Sequence, residues 1–326
     1  MNRTRAAIFV AIIALWSAPI RAADFALPDD IERLLALPED RIDVGEAALI
    51  FAREVFPDLV DVIANSREID RLADETRAIM PPHASTDEAL FALGKVIYER
   101  EGYHYDFGGT TPEKDSLNPD DKAEDYYLPA ILQLKHGTCV TLPMLFYAVA
   151  QRLGMPVAMA SAPQHTLIHV TDPTARIQNW EATDGGPSRN VWIIQQNNVP
   201  AAAIKSGTYM RAWSKREFLA ELLEINGHFY QHTHDYATAI QYYERAVQIN
   251  PTFDAALVGL QAAYLNRLFR RISTSYYPGD NTADLVKAQY YGDRVAALGA
   301  ADVAYDDLNP PEGDHRHDEF LRADAN

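Results

Sequence analysis

The 326 residues contain one cysteine, Cys139. A single thiol excludes an internal disulfide, so the fold is no disulfide framework. Basic residues are also scarce: 29 Lys and Arg stand against 46 Asp and Glu, a formal net charge of −17. That balance, with no basic block, excludes a surface that displaces counterions from nucleic-acid phosphates. It argues equally against adsorption to an anionic membrane. After Trp16 no segment approaches the uninterrupted apolar length that a spanning helix needs. Metal-ligand spacing is missing too. His228, His232 and His234 fall in one polar stretch and His315 and His317 in another, and both groups read as solvated. The acidic run over 306–319 reads as solvated as well.

The chain opens with the basic stretch MNRTR, then the apolar run AAIFVAIIALW over 6–16, then SAPIRAAD. A basic start, a short apolar segment and small residues suited to cleavage after Ala22, with Ala23 as the second choice, predict a secretory signal peptide over 1–22. The expected location of the soluble mature chain is the periplasm. Export sharpens the question of Cys139, because an unpaired thiol in an oxidising compartment points to a reactive or intermolecular role. The competing reading is a buried cysteine that acts as a small hydrophobe.

Residues 23–102 read as a helical leader. EAALIFAREVFPDLVDVIA is broken at Pro57 into two helices, and DEALFALGKVIYEREG is a third, started at Ser85–Asp87 and stopped at Gly102. A polar loop is expected over 103–125. A short helix follows over 128–134, then a turn at His136-Gly137, then a helix from about Thr138 to Leu153 with one buried face. Pro143 is tolerated there by lying in the first turn. Alternation then takes over: PVAMASA, HTLIHVT, RIQNWEAT and NVWIIQ read as short strands. Helical periodicity returns from about 215. In LLEINGHFYQHTHDYATAIQYYERAVQINP the positions Leu223, Gly227, Tyr230, Tyr236, Ala239, Tyr243, Ala246 and Pro251 carry the spacing of a tetratricopeptide repeat. A second, degraded repeat begins at Asp254. Its match depends on the QYY at 289–291 and an insertion around RRISTSYYPGDNTA. The expected class is α+β: a core over 103–214, a tetratricopeptide-like region over 215–300 and a flexible acidic tail over 301–326.

A cysteine nucleophile needs stabilisation as thiolate, a base, and a group that orients the base. A helix N-terminus offers positive potential and N–H groups that favour a thiolate and can hold an oxyanion. Cys139 is expected at such a terminus. Among the histidines, His136 sits in the preceding turn, while His165 opens a strand and His169 ends it. The last two stand roughly 13 Å apart along the strand, so at most one serves. A hairpin centred near Pro173-Thr174 puts His165 opposite Glu181 or Ala182, and His169 opposite Gln178 or Ile177. The expected set is Cys139, His165 and Glu181, with Asp184 as the alternate acid.

These residues carry a resemblance. GTCVTLPMLFYAVAQRLGMPV, QHTLIHV and NWEATDGG are similar to the transglutaminase-like cysteine peptidase superfamily, which places Gly-x-Cys at a helix start, a His opening a strand, and an acid followed by a pair such as Pro-Thr. Gly137-Thr138-Cys139, His165 and Glu181-Ala182-Thr183 match those positions. The acid is Glu where the superfamily usually has Asp. The helical leader, YYLPAILQLKHG and the repeat-like tail resemble a bacterial branch in which the cysteine position is often another residue; this chain keeps it. The resemblance covers roughly 43–265 and implies a papain-like or transglutaminase-like core. It also suggests Gln133, six residues before Cys139, as an oxyanion donor, although a solvent-exposed glutamine fits the spacing slightly better. Tyr126, Tyr127 and Trp180 are candidate groove residues, with core packing the expected role of at least two.

The sequence therefore predicts an exported thiol enzyme, a cysteine peptidase or amidase acting on a protein or peptide, with transfer to a lysine amine as the variant outcome. No cofactor or metal is called for. The alternative is an inactive scaffold that binds a protein partner through its repeats.

Overall fold

The computed structural model describes residues 27–105, 126–274 and 282–300. The expected signal peptide (1–22), the acidic tail (301–326), most of the polar loop over 103–125 and part of the insertion near 275–281 lie outside those residues. The described chain is helix-rich α+β with one small antiparallel sheet.

Helices α1 (Asp29–Ala36), α2 (Val44–Val55) and α3 (Val62–Ile79) come first. Both α2 and α3 start at a capping aspartate: Asp43 accepts from the Glu46 N–H and Asp61 from the Ala64 N–H, each at 3.0 Å. The break between them contains Pro57. Helix α4 (Thr86–Gly94) starts at a capping box formed by Ser85 and Glu88. It continues as a π-helical turn over Lys95–Arg100 and stops before Gly102, whose φ is 74°.

Helix α5 (Leu128–Leu134) ends at Lys135 in the left-handed region. The next residues correct an expectation. His136–Gly137 is no simple turn; it is a two-residue strand, β2, paired in parallel with β1 (His104–Tyr105). Helix α6 (Thr141–Arg152) is the centre of the molecule. Ten of its 12 residues are buried rather than a single face, because α2, α3, α4 and α5 pack on it as well as the sheet.

Strands β3 (Val157–Ala162), β4 (His165–Val170), β5 (Asn179–Glu181) and β6 (Gly186–Ser188) form an antiparallel meander in that order. The even positions Ile168 and Val170 of β4 and Trp180 of β5 join the main core with α6, while Leu167 faces a smaller cluster with Ile193 and Ala203. NVWIIQ, expected as a strand, is helix α7 (Asn190–Gln196). Its first residue is pinned to the end of β5: the Asn190 N–H donates to Gln178 Oε1 at 3.1 Å, and Asn190 Oδ1 accepts from Asn179 Nδ2 at 2.7 Å. The chain turns there instead of extending the sheet. Helix α8 (Ala201–Ser206) follows.

Helices α9 (Lys215–His232), α10 (Tyr236–Ile249), α11 (Asp254–Thr274) and α12 (Thr282–Leu298) pack each on the next. Tyr243 of α10 fills the space left by two glycines: a Cβ added at Gly227 of α9 or Gly259 of α11 would lie 2.8 or 2.5 Å from its ring. These helices share one hydrophobic core with the leader and α6. Glu54 of α2 adds a polar tie, accepting from Asn226 Nδ2 at 2.9 Å and the Tyr230 hydroxyl at 2.7 Å. His228 is half-buried rather than solvated, and burial holds its pKa below the usual value. His315 and His317 lie outside the described residues.

Candidate active site

The placement of Cys139 begins with its neighbours. The Thr138 carbonyl accepts from the Leu142 N–H at 3.2 Å, and Thr138 Oγ1 accepts from the N–H groups of Val140 and Thr141, both at 3.2 Å. Thr138 thus caps the turn that leads into α6, and Cys139 lies in that turn. Gly137 is required by close approach: a Cβ there would lie 2.6 Å from Ile131 Cδ1 and from Thr141 Oγ1. Pro143 is four residues past Cys139 and has no N–H to offer the Cys139 carbonyl. That carbonyl turns to the sheet and accepts from Thr166 Oγ1 at 2.5 Å. Pro143 is the third residue of α6, inside its first turn as expected, and Thr166 supplies the Cys139 carbonyl with a donor. The Cys139 side chain is half-exposed. Its Sγ lies 3.7 Å from the carbonyl oxygen of Gln164, a residue held at φ 54° just before β4.

His165 opens β4, and its Nε2 lies 2.7 Å from Glu181 Oε2. The two side chains are 14% and 7% exposed. Glu181 Oε1 accepts from Thr183 Oγ1 at 2.7 Å and from the Thr183 N–H at 3.2 Å. The Cys139 thiol lies close enough to the His165 ring to favour its charged form. Burial opposes charge on the ring, but the contacts with Cys139 and Glu181 outweigh it and push the His165 pKa up to about 10. For Glu181 burial disfavours the carboxylate, yet His165 and Thr183 hold its pKa below the usual value.

The hairpin register differs from the expected one. Ile168 pairs with Trp180 and His169 with Asn179, so His169 meets neither Gln178 nor Ile177; its Nδ1 lies 2.8 Å from Asn179 Oδ1. The cause is Asp87 of α4, which captures the N–H groups of Arg176 and Ile177 at 3.2 and 3.1 Å and draws them off the ladder. Glu181 reaches His165 diagonally.

The structure does not bring the other candidates into this group. Asp184 is exposed in the turn after β5. Gln133 is exposed on the last turn of α5 and makes no hydrogen bond to Cys139, His165 or Glu181 among the described residues. Tyr127 is buried and donates to Asn226 Oδ1 at 3.1 Å; Tyr126 is half-buried against the core. Trp180 is 1% exposed and stacked on Phe146 at 5.5 Å. Trp180 contributes only one wall of a pocket of about 450 Å³, whose lining also includes Phe91, Tyr98, Tyr105, Thr183 and Asp184. Tyr105 was missed in the sequence. Burial, with Cys139 and Glu181 nearby, pushes its pKa up to about 12. Thr166 and Thr183 were missed as well, although each is one or two residues from a candidate and of a type that donates to carbonyls and carboxylates.

Among the described residues no group of three or more His, Cys, Asp or Glu could hold a metal ion, and no helix is long and apolar enough to cross a membrane. No curated protein sequence matches the chain. Among solved structures, one titled "Crystal structure of menin reveals the binding site for Mixed Lineage Leukemia (MLL) protein" superposes with a TM-score of 0.39 at 13% identity, over 81% of this chain and 69% of that chain. A superposition that loose carries no argument. The family model described as transglutaminase-like superfamily matches residues 64–224. That span contains the cysteine at the head of a buried helix and the His-Glu pair on the adjoining sheet. In residues 64–224 the chain is thus similar to a transglutaminase-like superfamily domain.

Proposed function

We propose that the protein is a thiol acyl-transfer enzyme that cleaves an amide of a protein or peptide. The observation that carries this reading is the grouping of three side chains: His165 Nε2 lies 2.7 Å from Glu181 Oε2, and Cys139 lies near enough to the His165 ring to favour its charge. A cationic imidazole beside a cysteine favours nucleophilic attack by sulfur. The thiolate attacks the amide carbonyl carbon and forms a C–S bond. The proton on His165 passes to the leaving nitrogen as the C–N bond breaks, leaving a thioester and a neutral imidazole. Water then gives a proton to His165 and attacks the thioester carbonyl; the C–S bond breaks, the acid is released, and the Cys139 thiolate and protonated His165 are regenerated. The Cys139 N–H, which has no hydrogen-bond acceptor among the described residues, is available to the developing oxyanion. Glu181 fixes the ring and supports its charge, and Thr183 fixes Glu181.

Hydrolysis is preferred over transfer to an amine because the half-exposed Cys139 is within reach of water. Export to the periplasm is part of this proposal and is supported by the basic and apolar start of the chain. A role for α9–α11 as tetratricopeptide-like repeats that hold a protein partner is supported by the matched positions and by Tyr243 seated between Gly227 and Gly259. The test is incubation of the protein and of Cys139→Ala with end-blocked peptides, followed by mass spectrometry. New peptide termini or deamidated side chains that depend on Cys139 are expected. Identical peptide mixtures from both proteins overturn the enzyme reading.

A further inference from the structure

We infer that Thr166 is a positioning residue for the Cys139 nucleophile, and that Pro143 creates the need for it. This inference rests on the proposed thiol chemistry.

Inside a helical turn the carbonyl of residue i accepts from the N–H of residue i+4. The Thr138 carbonyl does so from Leu142, and the Val140 carbonyl from Met144 at 3.1 Å. Cys139 lies between them and finds Pro143. A carbonyl left unpaired and partly shielded from water is costly, and this part-buried one is satisfied from outside the helix by Thr166 Oγ1. The consequence is positional. Thr166 is buried in β4 between Gln164, whose carbonyl lies against the thiol, and Ile168, which packs in the core with α6. Alternation sends His165 to one face of β4 and Thr166 to the face that meets α6. The backbone of the nucleophile is thereby tied to the residue next to the base. Without this bond the backbone at Cys139 would be held to the start of β4 only by packing and by the long Sγ contact with the Gln164 carbonyl. With it, the head of α6 and the start of β4 move together.

A hydroxyl that only satisfies a carbonyl would stabilise the fold without governing reactivity, and the two roles can be separated. The chain has one cysteine, so cysteine labelled with ¹³C at the carbonyl gives one enriched protein line. In Thr166→Val that line is expected to move upfield, as for a carbonyl that has lost its donor, and in Thr166→Ser to stay near the wild-type position. Alkylation of Cys139 by iodoacetamide at pH 7 is expected to slow about tenfold to a hundredfold in Thr166→Val and to recover in Thr166→Ser. Adding Pro143→Ala to Thr166→Val restores a helical N–H to the carbonyl but not the tie to β4, so alkylation is expected to stay slow. A line that does not move in Thr166→Val, a wild-type alkylation rate there, or a rate that recovers in the double variant overturns the inference. Thr166→Ala serves if the valine variant does not fold. If the wild-type protein is alkylated no faster than His165→Ala, the proposed function falls and this inference falls with it, whatever the carbonyl line does.

Discussion

His165 Nε2 lies 2.7 Å from Glu181 Oε2 although the two residues are not partners across the sheet. The ladder pairs His169 with Asn179, and the same register carried to the start of β4 sets His165 level with Thr183. The acid therefore reaches back along a diagonal, a longer span than a direct cross-strand pair. The extra methylene of glutamate supplies that reach, and Thr183 steadies the far oxygen.

Glu181→Gln is accordingly expected to lower the His165 pKa from about 10 by more than about one unit, because a neutral amide no longer favours the charged ring. Glu181→Asp should give little recovery, since the shorter side chain stops short on the diagonal. An NMR titration of the His165 ring measures both, and a full recovery in the aspartate variant would contradict the diagonal geometry.

The same contacts give stability a pH dependence. The folded pKa of His165 is raised from 6.5 to about 10. Its stabilising contribution is thus complete below 6.5 and is lost as pH rises through about 10. The folded pKa of Glu181 is depressed below its usual 4.5, so its contribution is present above that value and is lost as pH falls through the folded pKa. Urea unfolding of the wild type and His165→Gln at pH 6, 8 and 10 should show the wild-type advantage shrinking toward the highest pH. An advantage that grows instead would reverse the sign.

Gly137→Ala tests the approach to the nucleophile. The new Cβ would press on Ile131 and on Thr141 Oγ1, which also accepts from the Thr138 N–H at 2.9 Å. The turn that holds Cys139 should shift, with slower alkylation and a stability loss of about 1–3 kcal/mol. Unchanged alkylation would mean that the turn tolerates the strain.

Gly259→Ala tests the helical region. Helix propensity alone would favour alanine by about 1 kcal/mol. The Tyr243 ring at 2.5 Å from the added carbon reverses the sign, with an expected loss of about 1–3 kcal/mol. Urea unfolding decides it, and a gain in stability would show that the Tyr243 ring yields.

Local signals made much of this legible. The Ser85–Asp87 start and Gly102 stop placed α4 and its π-helical continuation, both ends of α5 were legible, and the alternation in HTLIHVT placed β4, whereas α3 runs on to Ile79 past the stretch read as helical and α6 starts at Thr141 rather than Thr138. Cys139, His165 and Glu181 could be named because each lies next to a local marker: a glycine before the helix head, a strand start, and the Glu-Ala-Thr stretch. What could not be read depends on distant partners. Asp87 shifts the hairpin register from α4, more than 80 residues away in sequence. Asn179 and Gln178 turn NVWIIQ into a helix. Trp180 packs between Phe91 of α4 and Phe146 of α6 while still forming part of a pocket wall, a double placement that no local pattern shows. Thr166 acquires its role only when Pro143 withholds an N–H and the sheet is in place to supply another donor.

The most direct test of the central claim is the rate of Cys139 alkylation by iodoacetamide at pH 7 in the wild type and in His165→Ala. The account predicts a rate at least about tenfold faster with the imidazole present. Equal rates would contradict it, leaving Cys139 an ordinary thiol beside a histidine that does no more than pack.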